Sequence, residues 1–352
     1  MKHLEQILAL PTTTLKDVME MVGRGAVGIV LVVDENCHLL ATITDGDIRR
    51  SILKGTDLRE PIMHLLSQRK LNYGSPIVAK VGTPRAELIR LMNEKSIRHV
   101  PLLNDYKQVV DLALLDDPDL PLSAVVMAGG LGQRLRPLTE KLPKPMLPMG
   151  DKPLMELIVK QLSLSGIKRV FVTTHYLGDK IEEHFGNGQN FGIEMLYIAE
   201  EQLLGTAGGV KLVPEQQSPM LIVNGDILTE VDFRAMHAFH AEHEAELTVG
   251  VRQFTMQVPY GVIESDGWRV KRVVEKPMQD VFVNAGIYLM EPHVQTLIPA
   301  YQKFDMTDLI TLLVARGSIV ACFPIWEYWR DIGQPADYEQ AQSDIRNGKL
   351  HS

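Results

Sequence analysis

A short apolar run, Ala124–Met127, opens directly into Ala128-Gly-Gly-Leu-Gly-Gln-Arg-Leu-Arg-Pro137-Leu-Thr139, and Leu142-Pro-Lys-Pro-Met-Leu-Pro148 follows. A strand that runs straight into glycines places a narrow demand on a fold. Gly129, Gly130 and Gly132 let the backbone approach a bound anion, and the N–H groups of the following turn can point at it. Arg134, Arg136 and Lys144 add the positive charge that a triphosphate requires. The stretch reads as a cradle for a nucleoside triphosphate, with Ala128, Gly129, Gly130 and Gly132 as its candidate contacts. It meets neither the G-x-x-x-x-G-K-[ST] pattern nor the G-x-G-x-x-G pattern.

The surrounding sequence predicts an α/β domain. Short apolar strands (Ala124–Met127, Arg169–Thr173, Ile193–Ile198, Met220–Val223) alternate with helical segments near Leu154–Ser165 and Lys180–Phe185. That alternation implies a mostly parallel sheet. The 352 residues carry a net charge of −8 with no long basic run, which argues against nucleic acid or an anionic membrane as the main partner. The longest apolar run, Ala26–Val33, is too short to span a bilayer. No cationic start leads into a signal segment, so a cytoplasmic location is expected. Cys37 and Cys322, the only two cysteines, read as separate reduced thiols. The eleven histidines show no metal-ligand spacing, and no zinc site is expected.

The first third is duplicated. Thr14 can cap a helix with Leu15, Val18, Met19 and Val22 on one face, and the strand Ile29–Val33 follows. The pattern returns with Thr83, Pro84 at the first helical position, and the strand His99–Leu103. The offset is about 70 residues, which suggests a paired module. After the first strand comes Leu39-Leu-Ala-Thr-Ile-Thr44-Asp-Gly-Asp47. This resembles the end of a cystathionine-β-synthase (CBS) domain motif, whose threonine and aspartate bind the ribose of an adenine nucleotide. The resemblance implies that role for Thr44 and Asp47. The second copy has Leu114 and Asp117 there, so one ribose site keeps both groups. Thr44 and Asp47 can equally cap the helix that follows. Asp116-Asp-Pro-Asp-Leu-Pro121 reads as a linker. The expected division is residues 1–117 as an α+β tandem CBS module, 118–122 as linker, and 123–352 as the catalytic domain, with a frayed tail over Gly348–Ser352.

The order G-G-x-G-x-R-L-x-P, then K-P about ten residues on, resembles the sugar nucleotidyltransferases. Further pieces match in order: Leu204-Gly-Thr-Ala-Gly-Gly209, Val223-Asn-Gly-Asp226, Pro259-Tyr-Gly261, Val274-Glu-Lys-Pro277, Val283-Asn-Ala-Gly-Ile-Tyr288 and Trp329-Arg-Asp-Ile-Gly333. The resemblance implies a Rossmann-like domain that joins a nucleoside triphosphate to a sugar 1-phosphate. It assigns Mg²⁺ to Asp226 and Asp331, sugar contacts to Gly261, Glu275 and Asn284, and the sugar phosphate to Lys276. Gly205, Thr206 and Ala207 would pack on base and ribose, with Gln202 a weaker candidate nearby. Asp226 also follows an apolar strand, where an open parallel sheet presents its ligands, and a carboxylate there suits Mg²⁺. Glu275 and Lys276 should point to opposite faces if the strand Val270–Glu275 continues through them.

The nucleophile would be a phosphate oxygen, already largely ionised at neutral pH. His175 and His184 are therefore not needed as bases. Catalysis would come from alignment and charge neutralisation by Arg134, Lys144, Asp226 and Lys276. The motifs look most like the guanylyl-transferring members, such as mannose-1-phosphate guanylyltransferases, so GTP is the favoured donor. Paired modules of this type often self-associate, which makes a homo-oligomer an expectation by analogy. The alternative is a catalytically silent subunit that senses nucleotides or nucleotide sugars.

Overall fold

A computed structural model describes residues 4–25, 27–69, 75–95, 97–115 and 119–350. Ala26, Asp117 and the first residue of the expected linker lie outside the described residues. The chain divides into two compact units, Met1–Pro118 and Asp119–Ser352.

The first unit contains two three-stranded sheets of one design. Leu8–Ala9 runs parallel to Ile29–Val33, which pairs antiparallel with Leu39–Thr44. Ala79–Lys80, His99–Leu103 and Val109–Leu114 repeat that order. The register is copied as well. Ile29 pairs with Thr44 and His99 with Leu114, and the irregularity falls at Val32/Val33 in one sheet and Leu102/Leu103 in the other. The helices begin differently. Thr14 accepts the Asp17 N–H at 3.2 Å, as a cap should. Thr83 instead donates to the Lys80 carbonyl at 2.7 Å. Pro84 takes the cap position, and the helix starts one residue later than expected, at Arg85.

The second unit is built on one seven-stranded sheet. Its strands in chain order are β1 (Ser123–Met127), β2 (Arg169–Thr174), β3 (Glu194–Ala199), β4 (Met220–Asn224), β5 (Leu247–Gln257), β6 (Met278–Met290) and β7 (Val320–Ile325). They lie in the order β3-β2-β1-β4-β6-β5-β7. All neighbours are parallel except that β6 runs antiparallel to β4 and β5. The central strands are apolar on both faces, because both are covered. Helices Leu154–Leu164, Gly178–Phe185 and Phe233–Glu242 pack on one face through Met155, Ile158, Phe185 and Phe239. Helix Met306–Ala315 packs on the other through Met306, Leu309 and Leu313. Strand order reverses between the parallel neighbours β1 and β4, so a crevice opens at their carboxyl ends, where such folds bind ligands.

Two expectations are corrected. The Gly348–Ser352 tail is packed as far as it is described: Leu350 is buried, and the Lys349 N–H reaches the Asp344 carbonyl at 3.0 Å. The strand Val270–Glu275 ends at Val274, as half of an exposed hairpin with Val262–Asp266. Glu275 lies beyond it and Lys276 has a left-handed φ of 46°, so strand alternation does not govern where these two point.

Candidate active site

The glycine-rich segment leaves β1 at Met127. The Ala128 N–H still bonds the Thr173 carbonyl at 2.9 Å. The next four N–H groups, from Gly129 to Gly132, have no acceptor among the described residues. A run of unpaired backbone donors is an anion-binding concavity. Gly132 adopts φ +60°, and a Cβ there would lie 2.9 Å from Thr139 Cγ2 and 3.3 Å from Lys144 Cβ. Only glycine makes that turn so close to the following segment. Thr139 locks it by donating to the Gly132 carbonyl at 2.7 Å. The turn places the exposed Arg134 on the 3₁₀ segment Gln133–Leu135, which is anchored by the buried Leu135.

Asp226 stands across the crevice, two residues past β4. The Gly225 N–H bonds the Met127 carbonyl at 2.8 Å, which ties the ends of β1 and β4 together. The buried Lys144 ammonium bonds Asp226 Oδ2. Asp226 Oδ1 is buried and has no hydrogen-bond partner among the described residues. Asp331 arrives on the short strand Trp329–Asp331, which pairs antiparallel with Ile227–Thr229 and sets Asp331 opposite Ile227. The Ile332 N–H also bonds the Asp226 carbonyl at 3.0 Å. Burial raises the Asp331 carboxyl above its ordinary range, and the neighbouring Asp226 raises it further, while Lys144 and Arg134 pull it down. The structure thus brings Arg134, Lys144, Asp226 and Asp331 into one electrostatic cluster.

The orphaned Asp226 oxygen and the raised Asp331 carboxyl are what a cation-binding pair looks like before its charge is matched. Among the described residues no three His, Cys, Asp or Glu side chains gather as a metal cage. Two carboxylates are enough for Mg²⁺ when substrate phosphates supply the rest, so Asp226 and Asp331 fit that ion.

The other predicted residues fall into two groups. Gly205 (φ +80°) and Thr206 sit against the segment Phe304–Met306. The Thr206 N–H reaches Asp305 Oδ1 at 3.0 Å, and the Thr206 hydroxyl accepts the Met306 N–H at 2.8 Å. Ala207 is fully buried and its N–H bonds the Phe304 carbonyl at 3.0 Å. Gln202 is exposed and donates to the Tyr301 carbonyl at 3.2 Å. Gly261 and Glu275 meet: a Cβ on Gly261 would lie 2.9 Å from Glu275 Oε2. Lys276 is exposed beside them. Asn284, on β6, accepts the Gly286 N–H at 3.0 Å. It also bonds Tyr288, whose phenol burial and the nearby Asp226 and Asp305 push up to about 12. That shared tyrosine connects the Asn284 end of β6 with Asp226.

Thr44 and Asp47 are together too, as a capping box on helix Asp45–Leu53. Asp47 Oδ2 accepts the Thr44 N–H at 2.8 Å and its hydroxyl at 2.9 Å, and Arg50 holds Oδ1 at 2.7 Å. Of the two discounted histidines, His175 bonds the Glu200 carbonyl and His184 bonds Glu156.

Two residues of the crevice were missed. Asn224 ends β4 with a buried, unpartnered Oδ1. Glu200 follows β3 and is 8% exposed. Asn224 lies within the Val223-Asn-Gly-Asp226 match without a role of its own there, Glu200 belongs to none of the quoted matches, and tertiary placement reveals both.

Residues 123–348 match the nucleotidyl transferase family model. The chain belongs to that family. Among relatives, the mannose-1-phosphate guanyltransferase of Yarrowia lipolytica is 32% identical over 226 residues, 62% of each chain. The UTP–glucose-1-phosphate uridylyltransferase of a Synechocystis species is also 32% identical, over 241 residues and 62% of each. The match therefore spans less than two thirds of these relatives' own length. Among solved structures, HddC from Yersinia pseudotuberculosis complexed with GMP-PN is 26% identical with a TM-score of 0.51. That alignment covers 64% of this chain and 99% of HddC. Among the described residues no helix is long and apolar enough to cross a membrane.

Proposed function

We propose that this nucleotidyl transferase moves a nucleotidyl group from a nucleoside triphosphate, GTP by preference, to a sugar 1-phosphate and releases pyrophosphate. The observation that carries the reading is the buried Asp226 Oδ1, unpartnered among the described residues, beside Lys144 and Asp331, in a crevice whose glycine turn keeps four N–H groups free. The sugar phosphate oxygen attacks the α-phosphorus, and the bond to the β-phosphate breaks with its electron pair leaving on pyrophosphate. The nucleophile is ionised near neutral pH and no residue takes a proton from it. Gly129 to Gly132 and Arg134 orient the triphosphate. Lys144 keeps two N–H donors for phosphate oxygens after bonding Asp226. Mg²⁺, held by Asp226 and Asp331, would supply further neutralisation of the phosphate charge. Gly261, Glu275, Lys276 and Asn284 are proposed to hold the sugar phosphate. A hexose or hexosamine 1-phosphate such as mannose 1-phosphate is the expected acceptor, with the relatives' printed activities in support.

Pyrophosphate release across four nucleoside triphosphates and a panel of hexose 1-phosphates tests this. Turnover in one combination, abolished by Asp226→Asn, is expected. Nucleotide binding without turnover in any combination would overturn it in favour of a sensing subunit.

The first unit is proposed as a tandem CBS-like module that takes an adenine nucleotide at Thr44 and Asp47. The copied register of its two sheets supports a paired module. Binding there must release part of the capping box and select between two states of the protein to affect turnover. A melting-temperature rise with AMP, ADP or ATP is expected. No change with any of them, in melting or in turnover, would remove the proposal.

A further inference from the structure

His175–Lys180 is a segment of the crevice wall that the phosphate chemistry leaves without a role. It runs from the end of β2 into helix Gly178–Phe185. Leu177 holds a left-handed φ of 53°, a conformation that a bulky side chain rarely takes. Gly178 sits so close to the strand that a Cβ there would lie 3.0 Å from Thr174. A strained turn persists only where its surroundings hold it, and such turns gather at working sites.

Three side chains of this turn reach backbone carbonyls, and all three carbonyls belong to loops that flank the crevice. The Tyr176 hydroxyl donates to the Glu140 carbonyl at 3.0 Å, and the Lys180 ammonium to the Lys141 carbonyl at 2.5 Å. Both carbonyls lie on the connector between Arg134 and Lys144. His175 Nδ1 donates to the Glu200 carbonyl at 2.7 Å, where β3 gives way to the loop bearing Gly205 and Thr206. His175 also stands beside the glycine turn: a Cβ on Gly129 would lie 3.6 Å from its own Cβ. Thr139 ties the connector to the Gly132 carbonyl, and Leu142 packs against the core. Among the described residues no backbone N–H reaches the Glu140 or Lys141 carbonyl, and both residues are exposed. Water could serve such carbonyls about as well as a side chain can, so the two bonds add order rather than satisfy a buried group. Resting on the transferase reading above, we infer that the His175–Lys180 turn is a brace that fixes the Arg134–Lys144 connector and the Glu200 loop relative to each other. Tyr176, Lys180 and His175 are positioning residues, which act through Arg134 and Lys144. A misplacement of about 1 Å at a reacting centre can cost about 100-fold in rate. A connector that loses one tie while Thr139 and Leu142 persist should move less than that.

The test uses the full chain with Tyr176→Phe, Lys180→Met and Lys180→Arg. Pyrophosphate release is measured with the nucleoside triphosphate and the sugar 1-phosphate varied separately, alongside melting, hydrogen exchange and displacement of a fluorescent nucleotide. Tyr176→Phe and Lys180→Met should each lower kcat by about 5- to 20-fold and leave KM for the sugar 1-phosphate within about twofold. Exchange should quicken over Leu138–Leu142, while melting falls by no more than about 4 °C, the scale of one exposed hydrogen bond. Lys180→Arg keeps a donor for the Lys141 carbonyl and should recover most of the rate. Full kcat in both deletions, a loss that Lys180→Arg does not recover, or a loss that only tracks a fall in melting would each overturn the brace. If one deletion does not fold, the other decides. Absence of turnover in the unmodified chain defeats the transferase reading by itself. The brace is then decided by exchange over Leu138–Leu142 and by nucleotide affinity, which Lys180→Met should weaken and Lys180→Arg restore.

Discussion

Thr44–Asp47 and Asp226–Asp331 are two oxygen-bearing pairs, each beside the end of a strand, and they have opposite fates. Both Asp47 oxygens are taken, Oδ2 by Thr44 and Oδ1 by Arg50. Asp226 keeps one buried oxygen without a partner, and burial and Asp226 hold the Asp331 carboxyl above its ordinary range. A pair that satisfies itself contributes stability. A pair left unsatisfied at a crevice, with one carboxylate oxygen buried, is stability withheld, and sites where ligands complete the bonding are where folds tolerate that. The first pair should therefore be felt in melting and the second in turnover.

The largest effect falls on the second pair. Asp226→Asn should lower kcat by about 100-fold or more, the scale of losing one preorganised charge contact. Steady-state pyrophosphate release measures it, and activity within a few-fold of the unmodified chain would break the contrast. Asp331→Asn sharpens it through pH. The folded carboxyl binds a proton at higher pH than the unfolded chain, whose value is 3.8. Stability is thus lost as pH rises from about 3.8 through the folded value. Asp331→Asn removes that penalty, so at pH 7 it should melt no lower than the unmodified chain while being far less active. Protons and Mg²⁺ compete for the same carboxylate. Apparent Mg²⁺ affinity should rise with pH over that range and flatten in Asp331→Asn, as followed by titration calorimetry with nucleotide present.

Asp344 is an intermediate case, a buried carboxylate that is fully partnered and braces the strand bearing Asp331. Tyr328 bonds it at 3.0 Å, Gln340 at 3.0 Å, Arg330 at 3.2 Å and Lys349 at 3.2 Å. Burial alone would raise its carboxyl, but the hydrogen bonds from Gln340, Lys349 and Tyr328 outweigh it and hold the group at about 2. Its contribution is present above the unfolded value of 3.8 and is lost as pH falls toward about 2. Asp344→Asn should cost about 2–3 kcal/mol at neutral pH. Urea unfolding at pH 7 and pH 3 checks both the size and the narrowing of that difference in acid. Turnover should fall less than in Asp226→Asn, because Asp344 holds a strand and touches no phosphate.

What was legible in the sequence follows the kind of signal each element leaves. The parallel strands were readable because both faces are buried, and β1, β2 and β4 appear as bare apolar runs. The glycine turn was readable because Gly132 cannot be replaced at φ +60° so close to Thr139 and Lys144. The outer halves of β5 and β6 were not. Gln253–Gln257 is exposed on both faces, so its residues show no alternation, and only pairing with Met278–Phe282 makes it a strand. Glu200 and Asp344 were invisible for another reason. Their meaning lies in which glycines or donors surround them, and folding gathers those from separate elements: Gly129 and Gly209 around Glu200, and Tyr328 and Arg330 with Gln340 and Lys349 around Asp344.

The smallest expected effect tests the satisfied pair. Thr44→Ala removes the hydroxyl that bonds Asp47 Oδ2 at 2.9 Å and the side-chain half of a capping box. Loss of such a cap costs about 1 kcal/mol. Asp47 keeps the Thr44-position N–H and Arg50, so the helix Asp45–Leu53 should persist. Hydrogen exchange should rise in that helix while basal pyrophosphate release stays unchanged. A basal rate that falls with no added nucleotide would mean that the satisfied pair is coupled to catalysis after all. The contrast between a pair that stabilises and a pair that reacts would then fail at its quieter end.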